Sequence, residues 1–370
     1  MKKFLYITDR EEYTEHNFIG PLFEKYLPKY INVDIVYFSK YKSYFENRGD
    51  GHFVVPLHEK KDILKFLCDN DIDVCKYDYV VVRNMYDILD NILTSRDTYN
   101  IKVGYRLSFP KIASKLEHAK AENESNILQE IDKKIKSYTR TKIINRCDIF
   151  LPTSKTLKDT YCPEVTTKTH IIRSGIDPEK IHSKISRGDN IIIFAYNGTL
   201  SKLRDFRTVL EAFSEIKYKN WKLYISTKDK KIAQEYLANL NLNKEKVEIT
   251  EAETKNELLA LMANCDVGLS LLPDIDLFNT SIHLKTVDYY TTAIPTLMTN
   301  SKKNRKTFTD NVNAWLCDFD KKSIINKLSE IMQTPKEKIR TMGTAGQTKL
   351  LEKRDYRKIA SDLAEAMQSI

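Results

Sequence analysis

The chain has 370 residues, more than the roughly 250–300 at which a single hydrophobic core stops growing, so two domains are expected. It is 41% hydrophobic and 30% charged, which supplies two cores and excludes a wholly disordered chain. The formal net charge of +9 is a mild excess on a charge-rich surface. Because no run interleaves aromatic and arginine side chains, we expect no nucleic-acid partner.

The N-terminal sequence MKKFLYITDR has five residues between its basic start and Asp9. This run is too short for a signal-peptide core or a spanning helix. The six cysteines show no C-x-x-C spacing, which favours free thiols in a reducing compartment. These features predict a cytoplasmic protein.

Short β-branched or aromatic runs alternate with helical periodicity, which predicts βαβ units and mostly parallel sheets. In the first half we predict strands over Lys3–Ile7, Val33–Phe38, Tyr77–Val82, Lys102–Arg106, Asp148–Leu151 and Thr169–Ile172. The helices predicted there are Phe18–Leu27, Lys60–Asp69, Asp87–Thr94, a long basic helix across Lys111–Arg146, and Lys155–Tyr161.

The second half repeats this alternation. Its predicted strands are Asn190–Tyr196, Trp221–Ser226, Lys246–Thr250, Asp266–Leu271, Pro295–Met298 and Ala314–Cys317. Its predicted helices are Asp205–Ile216, Ile232–Ala238, Lys255–Ala263, Ile282–Thr292 and Lys321–Met332, with two more toward the C-terminus. We predict domains over residues 1–175 and 190–350, a linker over 176–189, and a C-terminal helix over 351–370 that could return to the first domain.

Motifs of several enzyme classes are absent. The chain has neither G-x-x-x-x-G-K-S/T nor G-x-G-x-x-G, which argues against a P-loop enzyme or a standard Rossmann dehydrogenase. Asp-x-Asp, which can hold a divalent metal on a nucleotide diphosphate, occurs at Asp71–Asp73, Asp274–Asp276 and Asp318–Asp320. Repeated copies in an acid-rich chain indicate chance, so we predict no metal and no cofactor, with a metal requirement as the minor alternative.

A strand followed by a glycine turn gives the strongest local signal. The run from Ile191 to Phe206 predicts a buried strand, a turn at Gly198 and a helix that begins near Asp205. Main-chain amides at this turn and the guanidinium of Arg204 suit the oxygens of a diphosphate. A tight turn with a surface arginine is the alternative interpretation.

The run from Phe278 to Thr296 gives a second signal. Ser281 is a good N-cap for the predicted helix Ile282–Thr292, whose positive end would face the same ligand. Lys285 and Asp288 share one face of that helix, which suits a cation for phosphate and an acceptor for sugar hydroxyls. An ordinary surface ion pair between these two residues is the alternative.

These two runs resemble the GT-B glycosyltransferases, and within them the large retaining group called family 4, or glycosyl transferases group 1. The family's S-x-P-x-K-x-x-E-Y is similar to Ser281–Tyr289, and its G-R-L is similar to Gly198–Leu200. Further similar runs follow in the family's order, at Arg146–Ser154, Ser174–Asp177, Leu210–Phe213, Val247–Ile249, Glu257–Leu259, Asn264–Leu271 and Ile294–Thr296. The resemblance implies an α/β fold of two facing Rossmann-like doubly wound domains with an interdomain cleft.

The resemblance also implies a reaction. A retaining transferase of this group moves a sugar from a nucleotide-diphosphate donor, expected to be UDP- or GDP-linked, to an acceptor. The residues assigned to catalysis are Arg204, Lys285 and Asp288, and those assigned to donor binding are Asn197, Gly198, Thr199, Thr280, Ser281 and Ile282. The family's phosphate-binding arginine falls on Thr199 and its lysine on Arg204, while its paired glutamates fall on Thr280 and Asp288.

The first domain is expected to bind the acceptor, a lipid-linked molecule or a glycan of bacterial surface glycan synthesis such as lipopolysaccharide, capsule or glycoprotein. Acceptor-side candidates are His16, Asn17 and Arg106, each with a structural or surface role as the alternative. The basic segment from Lys111 to Arg146 reads as a solvated helix or as a face that meets anionic lipid, which would place the protein peripherally on the inner face of the cell membrane.

Two other functions stay open. A nucleotide-sugar epimerase of the same fold would need acids and histidines for proton transfer at a sugar carbon. A non-catalytic subunit that binds a partner would account for the altered motif residues. Product analysis without an acceptor tests for an epimerase. Absence of donor binding would favour a non-catalytic subunit.

Overall fold

The computed structural model describes residues 1–11, 19–181, 188–240, 242 and 244–370. The chain divides into two compact units. The first comprises Met1–Leu116, Glu124–Arg173 and Tyr356–Ile370, and the second comprises Glu117–Asn123 and Ser174–Asp355. The second unit thus includes the described residues of the stretch predicted as a linker, and the last fifteen or so residues belong to the first unit.

The strands of the first unit are β1 (Lys3–Glu11), β2 (Asn32–Ser39), β3 (Glu46–Asn47), β4 (His52–Pro56), β5 (Tyr79–Arg83), β6 (Lys102–Leu107) and β7 (Ile149–Pro152). Its helices before the second unit are α1 (Ile63–Asp69), α2 (Tyr86–Tyr99), α3 (Lys111–Ala121), α4 (Ile127–Ile144) and α5 (Lys155–Tyr161). Residues Gly20–Tyr26 form a π-helix. The strand order is β3-β4-β2-β1-β5-β6-β7, parallel except for the β3–β4 pair.

The second unit contains a parallel sheet in the order β10-β9-β8-β11-β12-β13. Its strands are β8 (Ile192–Asn197), β9 (Trp221–Ser226), β10 (Val247–Thr250), β11 (Val267–Ser270), β12 (Thr296–Thr299) and β13 (Trp315–Cys317). Its helices are α6 (Phe206–Ser214), α7 (Lys230–Ala238), α8 (Lys255–Ala263), α9 (Leu284–Thr291), α10 (Lys302–Arg305), α11 (Lys321–Gln333) and α12 (Lys336–Arg354), and α13 (Tyr356–Gln368) follows in the first unit.

Each sheet is covered on both faces, and the alternation along its central strands explains why. In β1, Leu5 and Ile7 enter one core while Phe4 and Tyr6 enter the other. The second of these cores also receives the apolar side of α13. In β8, Phe194 points into one core of the second unit, and its neighbours along the strand point into another. Strands buried on both faces read as continuous apolar runs, which is why the sequence pattern locates them.

Three predicted elements differ from the structure. The long helix predicted across Lys111–Arg146 is two helices, because Asn123 adopts a left-handed conformation and Asn126 starts α4 with a capping box to Gln129. Thr169–Ile172 is not a strand but makes an isolated bridge to Phe150. The hairpin of β3 and β4 was not predicted.

No helix of the described residues is both long enough and apolar enough to cross a membrane.

Candidate functional site

The loop after β8 is shaped by a glycine in a conformation that other residues avoid. Gly198 has φ of +138°. Its amide donates to Ser226 O at 3.1 Å, and the Asn197 amide donates to the Tyr289 hydroxyl at 3.0 Å. Two of the amides expected to face a ligand are therefore bonded within the protein. The Thr199 amide has no acceptor among the described residues, so it is available to a ligand.

Arg204 follows this loop, at the end of the 3₁₀ turn Lys202–Arg204. It is half-buried, and its guanidinium carbon lies 5.7 Å from the centre of the Phe278 ring. No carboxylate in the described part of the chain forms an ion pair with it. The cation is thus oriented by an aromatic face and keeps its hydrogen-bond donors for another partner.

Helix α9 begins later than predicted. Its N-cap is His283, whose side chain does not cap the helix, so the expected cap at Ser281 is wrong. The His283 ring is instead held by Phe278 O, 2.8 Å from Nε2, and the backbone of His283 itself is extended. Thr280 and Ile282 are buried and precede the helix, while Ser281 is half-buried.

Lys285 lies in the first turn of α9 and is 6% exposed. Its Nζ stands 3.8 Å from the centre of the Tyr196 ring, and a Cβ placed on Gly198 would lie 3.3 Å from it. This buried ammonium has no hydrogen-bond partner among the described residues. Burial, reinforced by the charge of Arg204, holds the pKa of Lys285 well below its usual value of 10.5.

Asp288 is also buried, and its partner is not the one the sequence suggested. Its carboxylate forms an ion pair with Lys255, at the start of α8, and both side chains are largely buried. The alternative of a surface ion pair with Lys285 is therefore wrong. Because Lys285 and Asp288 do not neutralise each other, the lysine charge is left uncompensated.

A third cation, Lys303 of α10, was missed in the sequence. Its Nζ donates to Phe278 O at 2.9 Å and lies 3.3 Å from His283 Nε2. Burial lowers the pKa of Lys303 to about 7. Burial and the neighbouring cations also hold the pKa of His283 well below its usual value, so the imidazole is neutral. Lys303 follows the end of β12, and that position at the carboxyl edge of a parallel sheet was the available signal.

We call Arg204, Lys285 and Lys303 the basic cluster. These three side chains lie around the carboxyl ends of β8, β11 and β12, where parallel sheets bind ligands. Asp288 pairs with Lys255, and Asp274 accepts from Asn279 while its charge acts on Lys303, so one carboxylate faces three cations. The basic cluster therefore carries excess positive charge in a partly desolvated setting, which suits a polyanionic ligand.

The acceptor-side candidates lie in the first unit or outside the described residues. Arg106 is 2% exposed, and it donates to Leu151 O at 3.0 Å. Burial lowers its pKa to about 10. This placement supports the structural role for Arg106. His16 and Asn17 lie outside the described residues.

A polar network that sequence reasoning did not assign lies at the carboxyl end of β1. Asp9 accepts from Arg83 at 2.5 Å and from Asn84 at 3.2 Å, and it also pairs with Lys111. These contacts hold the pKa of the Asp9 carboxyl below its usual value against the opposing effect of burial. The network joins two cations to one carboxylate and links the ends of three neighbouring segments.

In the described part of the chain, no three His, Cys, Asp or Glu side chains come together as a metal site would require. Two of the Asp-x-Asp copies have local structural roles. Asp73 accepts from Cys75 N at 3.1 Å, and Asp320 caps α11 by accepting from Ser323 N at 2.9 Å. These contacts account for both acids without a metal.

Residues 177–349 match the family described as glycosyl transferases group 1. HepE of Anabaena, solved in complex with UDP and glucose, is similar at a TM-score of 0.72 and 13% identity, with 100% of both chains covered. Sucrose-phosphate synthase of Thermosynechococcus elongatus is similar at a TM-score of 0.72 and 12% identity, covering 100% of this chain and 99% of the other.

A third similar structure is the α,α-trehalose 6-phosphate synthase of Burkholderia multivorans, at a TM-score of 0.69 and 9% identity, covering 100% of this chain and 99% of the other. No curated protein matches the sequence. The likeness in fold agrees with the two-domain α/β fold expected from the sequence. The molecule has the GT-B fold, and the residues that match the glycosyl transferases group 1 model lie in its second unit.

Proposed function

We propose that the protein is a retaining glycosyltransferase that binds a nucleotide-diphosphate sugar at the basic cluster of its second unit. The observation that carries this proposal is Lys285, a buried ammonium with no hydrogen-bond partner among the described residues. A buried charge is costly unless something neutralises it, and a diphosphate would do so. The family match over the second unit and the UDP bound to the similar HepE structure support the same ligand class.

The diphosphate is both the part that is bound and the part that leaves. As the bond to the sugar breaks, negative charge grows on the departing phosphate oxygens. Lys285, Arg204 and the Thr199 amide would stabilise that charge without rearranging, because burial and the Phe278 ring already hold the two cations in place. Asp288 would accept hydrogen bonds from the ribose hydroxyls while it remains paired with Lys255.

The sugar then passes to an acceptor held by the first unit, with His16 and Asn17 as candidates. A lipid-linked or glycan acceptor of bacterial surface glycan synthesis is the acceptor class we propose. The transferase is favoured over an epimerase because the residues of the second unit match the glycosyl transferases group 1 model.

Nucleotide binding by Lys285→Met tests the proposal. UDP and GDP are first compared on the wild type by thermal shift, since a ligand at 100 times its dissociation constant adds about 2.7 kcal/mol of stability. Lys285→Met should weaken binding of the preferred nucleotide about ten- to hundredfold, because a charge-assisted hydrogen bond is lost. The unliganded variant should melt no lower than the wild type, because an unpaired buried charge is removed.

The matched control is Lys338→Met, which removes an exposed lysine of α12 and should leave binding unchanged. Equal nucleotide affinity in wild type and Lys285→Met, measured by calorimetry, would contradict a diphosphate site at the basic cluster.

A further inference from the structure

Helix α4 of the first unit exposes an unusual amount of apolar surface. The apolar side chains exposed along it are Ile127 (78%), Leu128 (75%), Ile131 (48%), Ile135 (60%) and Tyr138 (56%). Single exposed apolar residues are common, but five on one helix form a continuous patch. We call this set the apolar stripe.

The stripe lies on one side of α4, opposite the side that packs on the protein. Successive residues of a helix turn by about 100°, so Ile127, Ile131, Ile135 and Tyr138 fall on one face. The half-buried residues Gln129, Lys133 and Ser137 fall on the opposite face. Near its C-terminal end the helix is anchored in the first unit, where Ile143 and Ile144 join the core. The apolar stripe is therefore the surface that α4 presents outward.

The charge around the stripe is mixed, with a positive excess. Helix α4 contains four lysines and one arginine against Glu130 and Asp132, and Asp132 pairs with Lys136. Lys134 and Lys142 are exposed and border the stripe, and Lys142 Nζ lies 4.5 Å from the centre of the Tyr138 ring. Long lysine side chains at such borders can reach acidic groups while their methylenes cover apolar surface.

We propose that α4 docks the protein on an anionic lipid bilayer, with the apolar stripe at the level of the acyl boundary and the bordering lysines on acidic headgroups. The combination of an apolar face, a tyrosine and flanking lysines is what an interfacial helix requires. A second copy of the chain fits less well. One helical stripe falls short of the roughly 20–30 residues that each side of a specific interface contributes.

Flotation of the purified full-length chain with vesicles tests this proposal. We expect binding to vesicles of equimolar phosphatidylglycerol and phosphatidylcholine, weakened by salt, and little binding to phosphatidylcholine alone. The double variant Ile131→Ser with Ile135→Ser should lower the partition coefficient at least about tenfold, because two apolar side chains no longer leave water. Lys134→Glu with Lys142→Glu should abolish the preference for acidic vesicles.

Two controls separate the surface from general effects. Lys338→Glu with Lys358→Glu makes the same change in net charge on exposed residues of α12 and α13 and should bind vesicles as the wild type does. All variants should keep wild-type nucleotide affinity, so failure of this proposal does not depend on the donor site. Absence of wild-type binding to acidic vesicles would overturn the proposal. So would a wild-type dimer in sedimentation that the Ile131 and Ile135 changes dissociate.

Discussion

Lys285 is a titratable group at the centre of the proposed phosphate site, so nucleotide affinity should depend on pH. Burial and Arg204 lower the pKa of Lys285 in the unliganded protein, and a bound diphosphate would raise it again. Above pH of about 7, where the nucleotide phosphate is fully ionised, affinity should fall as pH rises through the lowered pKa. Calorimetry across this range should show the decline in wild type. Lys285→Met should bind more weakly and decline less, because only Lys303, with a pKa of about 7, still titrates in the basic cluster.

The stability of the unliganded protein should change in the opposite direction. A lysine whose pKa is lower in the folded than in the unfolded state binds fewer protons when folded. The free-energy cost of burying the charged Lys285 is fully present below its pKa in the folded protein and disappears as pH approaches 10.5. The free energy of unfolding should therefore rise with pH across this window. If nucleotide affinity and unfolding free energy both changed with pH in the wild type as they do in Lys285→Met, Lys285 would not titrate in this pH range.

The ion pair of Asp288 and Lys255 predicts a stability effect that the sequence did not. From the sequence alone, Asp288→Asn is expected to change ligand binding and leave the melting temperature nearly unaltered. The structure predicts a loss of about 3 kcal/mol in the unliganded protein, because Lys255 is left largely buried without its carboxylate. Denaturant unfolding of the variant measures this loss.

The double variant Lys255→Gln with Asp288→Asn is the control for this pair. It removes both charges and should recover most of the stability, which a double-mutant cycle would report as a favourable coupling. Additive losses from the two single changes would mean that the ion pair does not contribute.

At this scale the sequence predicted which residues lie at the carboxyl ends of the strands better than it predicted their ion-pair and hydrogen-bond partners. Gly198, Arg204 and Lys285 come from segments at the carboxyl ends of parallel strands, a pattern visible in the order of strands and helices. The pairing of Asp288 with Lys255 joins two helices far apart in the chain, which periodicity does not report. The N-cap at Ser281 failed because the His283 side chain bonds to Phe278 O and delays the helix.

Among the elements, α12 controls the position of α9, the helix that carries Lys285. Gly343 and Gly346 of α12 face α9 and the loop after it, and a Cβ at Gly343 would overlap the carbonyl oxygen of Ala293. Gly343→Ala should therefore cost about 3 kcal/mol of stability and weaken nucleotide binding, because α12 must shift. Chemical denaturation and calorimetry check both effects.

The control for Gly343 is Thr344→Ala, the next residue and an exposed one. This substitution introduces the same residue at a position that does not face α9. Its effect on stability should be neutral or slightly favourable. If both variants unfolded at the same denaturant concentration, the close approach at Gly343 would not limit the packing of the two helices.

The elements that were mispredicted have two different physical causes. The break between α3 and α4 depends on Asn123 and Asn126, whose backbone conformation and capping are decided locally against an otherwise helical composition. The β3–β4 hairpin lies at the sheet edge, where β3 is too short for a periodic signal. Central strands were found because burial on both faces makes them continuous apolar runs.

For the whole molecule, we predict that transfer needs no divalent metal. The basic cluster offers the cations that a metal would otherwise supply to the diphosphate, so turnover should persist in excess EDTA. Asp274→Asn with Asp276→Asn should change turnover little. Activity that disappears with chelator and returns with Mn²⁺ or Mg²⁺ would place the protein among metal-dependent transferases instead.

The first unit is assembled from both ends of the sequence, because α13 supplies Tyr356, Ile359, Leu363 and Met367 to one of its cores. During translation that core stays open while the second unit is being made, roughly 10–40 seconds at typical elongation rates. The nascent chain thus carries an unfilled apolar face for about half of its synthesis. The second unit, nearly continuous in sequence, can fold first, so the order of folding should run from the later-encoded unit back to the earlier one.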